Sequence, residues 1–168
     1  MSKKEKQIDI DVKGMLAHWP SIGYDTLGGK GKVLAFYNKV DGEKIDRASF
    51  FYKKKLTDIF IFSMLLGKKE GLKEPYTDTK SRRGSIDALR FADNPNYVWM
   101  MLAVAIDEIS KKDPKRDLTE ILNPENAKEV IDICEAYANH GIHELIEMNS
   151  KEGFLGYENK FEELLGKD

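Results

Sequence analysis

Two histidines three residues apart, in the stretch His140-Gly141-Ile142-His143-Glu144, come closest to a reactive constellation in this chain. Side chains at i and i+3 of a helix share a face, and two imidazoles placed so can hold one metal ion, with Glu144 or Glu147 completing the set. Two features argue against it. Gly141 stands between the histidines and is the kind of residue at which helices end, and Glu144 follows the second histidine, so the HExxH order of metalloproteases is absent. His18 is distant, and no cysteine pair exists. The expectation is therefore that no metal binds, that His140 lies at a helix end near its negative pole, and that His143 sits on the surface.

Other chemistry is no better supplied. Cys134 falls on an apolar helical stripe, where a lone thiol behaves as a small hydrophobe. Asp107-Glu108 and Glu162-Glu163 are adjacent in sequence, and neighbours on a helix do not face each other, so they are expected to be solvated. The tract Leu27-Gly28-Gly29-Lys30-Gly31-Lys32 resembles a phosphate cradle, but Val33 stands where a Walker loop needs Ser or Thr for its magnesium ion. No catalytic, cofactor-binding or metal-binding residue is assigned.

Charge is more informative than nucleophiles. The formal net charge is −2, yet residues 53–90 carry ten Lys or Arg against five acids and residues 91–168 carry eight against seventeen. Lys53, Lys54, Lys55, Lys68, Lys69, Arg82 and Arg83 are the candidate nucleic-acid contacts, because phosphate binding needs cationic groups close together but no strict spacing. Tyr52 beside the lysines could stack on an exposed base. No helix-turn-helix, zinc-finger or RNA-recognition signature accompanies them.

The elements that position these residues are mostly helical. At 168 residues, with 41% hydrophobic and 33% charged residues, the chain has the size and composition of one soluble domain. Its longest apolar runs fall short of the ~20 residues of a membrane span, and the charged opening MSKKEKQIDIDVKG has no apolar signal-peptide core. A single cysteine precludes an intrachain disulfide and fits a reducing compartment, so a cytoplasmic location is expected. Residues 1–48 are rich in glycine and show no helical period; they predict an irregular arm with room for a short β-hairpin, including a strand over residues 32–37.

Residues 49–168 predict a compact, bundle-like helical domain. A first helix should begin at Asp46 or Ser49 and run to Gly67 or Gly71, apolar on nearly every side and therefore central. Ser85 should cap a short helix carrying Ile86, Leu89 and Phe91. Asn94-Pro95 opens a strong helix that ends near Pro114, and Asn123-Pro124 opens another that Gly141 should terminate. Short helices over 142–148 and 157–165 complete the expectation.

Two segments carry a family resemblance. The run Leu56-Thr57-Asp58-Ile59-Phe60-Ile61-Phe62-Ser63-Met64-Leu65-Leu66-Gly67-Lys68-Lys69, followed by Lys73-Glu74-Pro75, resembles the "YKDLFLFAAALGYK … R-P" stretch of a family of small proteins linked to Dnd systems. The run Ile131-Asp132-Ile133-Cys134-Glu135-Ala136-Tyr137-Ala138-Asn139-His140-Gly141-Ile142 is similar to that family's "I-x-x-I-F-E-x-Y-A-N-x-G-L" signature. Between them, Leu118-Thr119-Glu120-Ile121-Leu122 matches a Leu-rich loop. The likeness covers roughly residues 50–148 and departs from the pattern after Ile86, where Asp87-Ala88-Leu89-Arg90-Phe91 lacks an expected tryptophan. Dnd systems place phosphorothioates in the DNA backbone and use the mark in defence against foreign DNA. The resemblance implies that setting and supplies no catalytic residues.

Residues and resemblance together lead to an accessory protein of a DNA phosphorothioation and antiviral defence system, non-enzymatic, binding DNA through its basic central segment. A protein–protein adaptor in a defence complex and a metal-dependent nuclease built on His140, His143 and nearby acids are the alternatives. Expected partners are DNA or a protein of the same system, with self-association as a further possibility.

Overall fold

The computed structural model describes residues 11–24, 54–73 and 84–151. Its main elements are a one-turn helix α1 (Val12–Leu16), a strand β1 (Ile22–Tyr24), helix α2 (Leu56–Glu70), a strand β2 (Gly84–Ile86), helix α3 (Pro95–Lys112) and helix α4 (Ala127–Lys151). Short 3-10 segments at Ala88–Asp93, Leu118–Leu122 and Pro124–Asn126 lead into and out of α3 and α4. The mostly helical fold expected from the sequence is what these residues form. No described helix is long and apolar enough to cross a membrane.

Helix α2 begins later than its apolar pattern predicts. Lys55 has an extended backbone (φ −76°, ψ 156°), and the Asp58 carboxylate accepts its amide hydrogen bond at 2.9 Å. That acid in the first turn also faces the positive end of the helix dipole, so this helix starts at Leu56 with Lys54 and Lys55 outside it; the expected starts at Asp46 and Ser49 lie outside the described residues. The C-terminus is one of the two predicted places. Gly71 adopts the left-handed conformation (φ 69°), with Leu72 N–H donating to Gly67 O at 3.0 Å and Gly71 N–H to Lys68 O at 3.1 Å. This is a Schellman ending, which satisfies the last carbonyls and favours glycine.

Helix α3 follows its sequence closely: Asn94 is extended, Pro95 occupies the first helical position, and Lys111 and Lys112 lie in the last turn. The segment before it differs from expectation. Gly84–Ile86 is a strand, antiparallel to β1 with Ile22 opposite Ile86 and Tyr24 opposite Gly84. The cap of the following turn is Asp87, whose side chain accepts from Leu89 N–H at 3.0 Å, and not Ser85. A two-residue shift of this kind follows from β1, which supplies backbone partners that a local reading cannot see. The strand expected at residues 32–37 and the helix expected at 157–165 lie outside the described residues.

The largest difference is at Gly141. The chain passes through it without a break, and α4 extends as one helix of 25 residues, about 37 Å long. A Cβ built on Gly141 would stand 1.8 Å from the carbonyl oxygen of Ser63, and one on Gly67 would stand 2.2 Å from that of Tyr137. Each glycine therefore lies where the backbones of α2 and α4 touch. The missing side chain serves the crossing and not a turn, and the burial around it offsets the ~1 kcal/mol that glycine costs inside a helix.

Around this crossing the core closes. Phe60 and Met64 of α2, Val98 and Met101 of α3, and Val130, Ile131 and Cys134 of α4 are buried together. Phe60 meets Phe91 edge to face, with centroids 5.8 Å apart and rings at 78°. Burial on α2 includes Ile59, Phe60, Ile61, Met64 and Leu66, which is the all-round pattern of a central helix. Leu16, Trp19 and Ile22 join the same core, and the buried Glu135 carboxylate of α4 accepts a hydrogen bond from the Gly23 amide of β1.

Candidate functional site: a charge network beside a polar groove

Where the C-terminal ends of α2 and α3 meet the middle of α4, five charged groups and a tyrosine converge. Lys68 donates to Asp107 and Glu108 of α3 and to the Tyr137 hydroxyl of α4, the last two at 2.9 and 3.4 Å. Lys73, just past the end of α2, also donates to Glu108. Tyr137 donates its hydroxyl proton to Glu108, and the ammonium groups of Lys68 and Lys73 lie 5.0 and 5.4 Å from the centre of its ring, within cation–π range. Lys111 holds Asp107 at 2.7 Å from the next turn of α3.

Asp107 and Glu108 were expected to point apart into solvent. Successive side chains on a helix diverge by about 100°, but Lys68 approaches from α2 between them and its three donors reach both. One long flexible cation thus brings together two carboxylates that their own helix separates.

The network fixes its charges. Burial opposes the charged form of Lys68, but its hydrogen bonds to Asp107, Glu108 and Tyr137 outweigh that and hold its pKa well above the ordinary lysine value. Burial likewise works against ionised Glu108; hydrogen bonds from Lys73, Tyr137 and Lys68 overcome it and bring the pKa down to about 2. The Glu108 hydrogen bond raises Lys73, burial and then the Glu108 bond raise Tyr137, and Lys111 followed by Lys68 lowers Asp107. Every shift moves a pKa further from pH 7, so none of these groups is poised to exchange a proton there, as a general acid or base must be.

Beside the network lies a groove of about 880 Å3 between α3 and α4. Four lysines line it (Lys73, Lys111, Lys112, Lys128), and so do four acids (Glu108, Glu125, Glu129, Asp132). Lys128 and Asp132 pair across one turn. A groove with equal numbers of both signs does not focus potential on an anion, which needs one sign of charge.

The residues expected to contact DNA divide accordingly. Lys68 belongs to the network. Lys54, Lys55 and Lys69 are exposed; Lys55 makes a 3.6 Å ion pair with Asp93 in which both side chains are about 70% exposed, an arrangement worth at most ~1 kcal/mol. Lys53, Arg82 and Arg83, like Tyr52, lie outside the described residues. The lysine that sequence reasoning passed over is Lys73. Its signal was present as a cation shortly after the glycine that ends α2, at the distance from the helix end where it can fold back on α3.

Cys134 is fully buried, its thiol 3.4 Å from the Met101 carbonyl oxygen, and burial pushes its pKa far up. That is the small hydrophobe expected, since the thiolate is the nucleophile. The histidine stretch is rearranged by the continuity of α4. His140 Nε2 stands 3.1 Å from Glu70 of α2, and the donor atoms of Glu70, His140 and Glu144 all lie within 4.8 Å of one another. His143 is half-buried and is not one of that group.

A family model described as DNA sulphur modification system-associated protein 4 matches residues 39–161. This span contains both signatures and extends about a dozen residues beyond each end of the likeness over residues 50–148. Comparison with curated proteins and with solved structures gave no match.

Proposed function

Because the chain belongs to the DNA sulphur modification system-associated protein 4 family, and so to the accessory proteins of such a system, we propose that it acts there by binding DNA and not by catalysis. The observation that carries this reading is the sorting of its lysines. Lys68 and Lys73 are neutralised by carboxylates, whereas Lys55 and Lys69, with Lys54 beside them, are exposed at the two ends of α2. Fourteen residues of helix separate Lys55 from Lys69 by about 21 Å, roughly six phosphates along one strand at 3.4 Å each. Lys53, Arg82 and Arg83 flank the same helix in sequence and lie outside the described residues. The pKa directions in the network are those of a structural ion cluster, which supports binding over acid–base chemistry.

Fluorescence anisotropy with duplexes carrying or lacking phosphorothioates tests the proposal. Affinity should fall with salt at a slope of about −0.9 per phosphate neutralised, and replacing Lys54, Lys55 and Lys69 together by alanine should reduce that slope by about 2.7. Absence of binding at low salt, or a slope unchanged in the triple variant, overturns it.

A second reading has its own observation. Trp99 and Met100 on the outer face of α3 are 41% and 38% exposed, and tryptophan is concentrated at the energetic centres of protein interfaces. In an adaptor, Trp99→Ser with Met100→Ser would abolish co-purification with the reconstituted proteins of the system while leaving DNA affinity unchanged. Unaltered co-purification counts against it.

A further inference from the structure

The cluster formed by Glu70, His140 and Glu144 lies apart from the charge network and takes no part in the DNA-binding proposal. His140 and Glu144 are one turn apart on α4, which puts them on one face. Glu70 reaches them from the last residue of α2, across the crossing where Gly67 and Gly141 bring the two backbones into contact. The donor atoms converge within 4.8 Å, and the glutamates' terminal torsions, which are broad and not confined to sharp rotamer wells, are free to close the remaining gap.

Electrostatics favours a cation at this cluster. Glu70 sits at the C-terminal end of α2, where a carboxylate meets the negative pole of the helix dipole and is disfavoured. Glu144 brings a second carboxylate alongside. The 3.1 Å contact with His140 sets a single imidazole against two carboxylates, so the cluster itself carries more acid than base. A dication coordinated by a neutral imidazole and two carboxylates balances the set.

We propose that Glu70, His140 and Glu144 form a binding site for a zinc-class divalent transition-metal ion, which fastens the end of α2 to the middle of α4. The ligand chemistry selects the class. Imidazole with carboxylates suits zinc and its first-row neighbours, whereas calcium takes six or more oxygens and magnesium keeps most of its water. Three protein ligands at a partly exposed position leave one coordination site open to water.

The test uses the full chain without an affinity tag, freed of metal by chelator dialysis and titrated with zinc ion alone. One zinc per chain is expected, with cobalt substitution giving the absorption of a four-coordinate site and zinc raising the melting temperature. His140→Gln and Glu144→Gln should each weaken binding by at least the roughly 10–100-fold that even an outer-layer partner costs. His143→Gln should leave it unchanged. The metal-free melting temperature of each variant shows that the fold is intact, so that lost binding is not lost structure. Substoichiometric zinc, binding that survives Glu144→Gln, loss of binding in His143→Gln, or uptake of magnesium or calcium in place of zinc each overturns the assignment.

Discussion

The two ends of α2 carry the same residue type to opposite outcomes. At the N-terminal end, Lys55 is exposed and its ion pair with Asp93 is solvated on both sides. At the C-terminal end, Lys68 is only 22% exposed and bonded to three partners from two other helices. The difference lies in what crosses each end. The Gly67–Gly141 contact draws α4 close to the C-terminal half of α2, and Tyr137 and the end of α3 follow it. A lysine there finds carboxylates fixed by packing, while one at the other end finds mostly water. Local charge density therefore says little about which cations can meet a ligand.

The comparison breaks most readily at the crossing. Gly141→Val places side-chain atoms against the Ser63 carbonyl and should destabilise the fold by roughly 3 kcal/mol or more, read as a lower denaturation midpoint; a loss under about 1 kcal/mol would mean that the helices can separate at little cost. A smaller effect is expected within the network. Glu108→Gln leaves Lys68, Lys73 and Tyr137 without their shared acceptor and should cost on the order of 2–3 kcal/mol at pH 7.

That second effect has a defined pH window. The folded pKa of Glu108 is lowered to about 2 from the ordinary 4.5, so its contribution is fully present above the unfolded value and declines as pH falls from 4.5 toward 2. The stability difference between the protein and Glu108→Gln should shrink through that range. A difference that is constant from pH 7 to pH 2 would show that the carboxylate's charge is not what stabilises. The smallest effect belongs to the exposed end: Lys55→Ala should change stability within about 0.5 kcal/mol, and a larger loss would show that the Asp93 pair does more than its exposure allows.

Much of the helical framework was legible in advance because its signals are local. Asn94-Pro95 marked the start of α3, Gly71 was one of two predicted ends for α2, and the apolar density of residues 59–66 marked a central helix. The start of α2 was misplaced because the aromatic and lysine run before it has helical spacing, while the stop depends on Asp58 reaching back to one amide. Ile86 was misplaced because its partner, Ile22, lies in another part of the chain. The candidate site was less legible still. Asp107 and Glu108 could be read only as divergent neighbours, and Glu70 had no reason to be placed with His140 and Glu144.

What the sequence by itself determined is the helical class, the limits of α3 and the family signatures, since helical periodicity, capping residues and motif order are properties of neighbours along the chain. Tertiary structure decided the meaning of Gly141, the neutralisation of Lys68 and the meeting of Glu70 with His140 and Glu144. Each of these rests on an approach between helices some 40 to 80 residues apart, and the closeness of that approach follows from how side-chain volumes pack. A glycine reads the same whether it ends a helix or admits another one, and only the neighbouring backbone distinguishes the two.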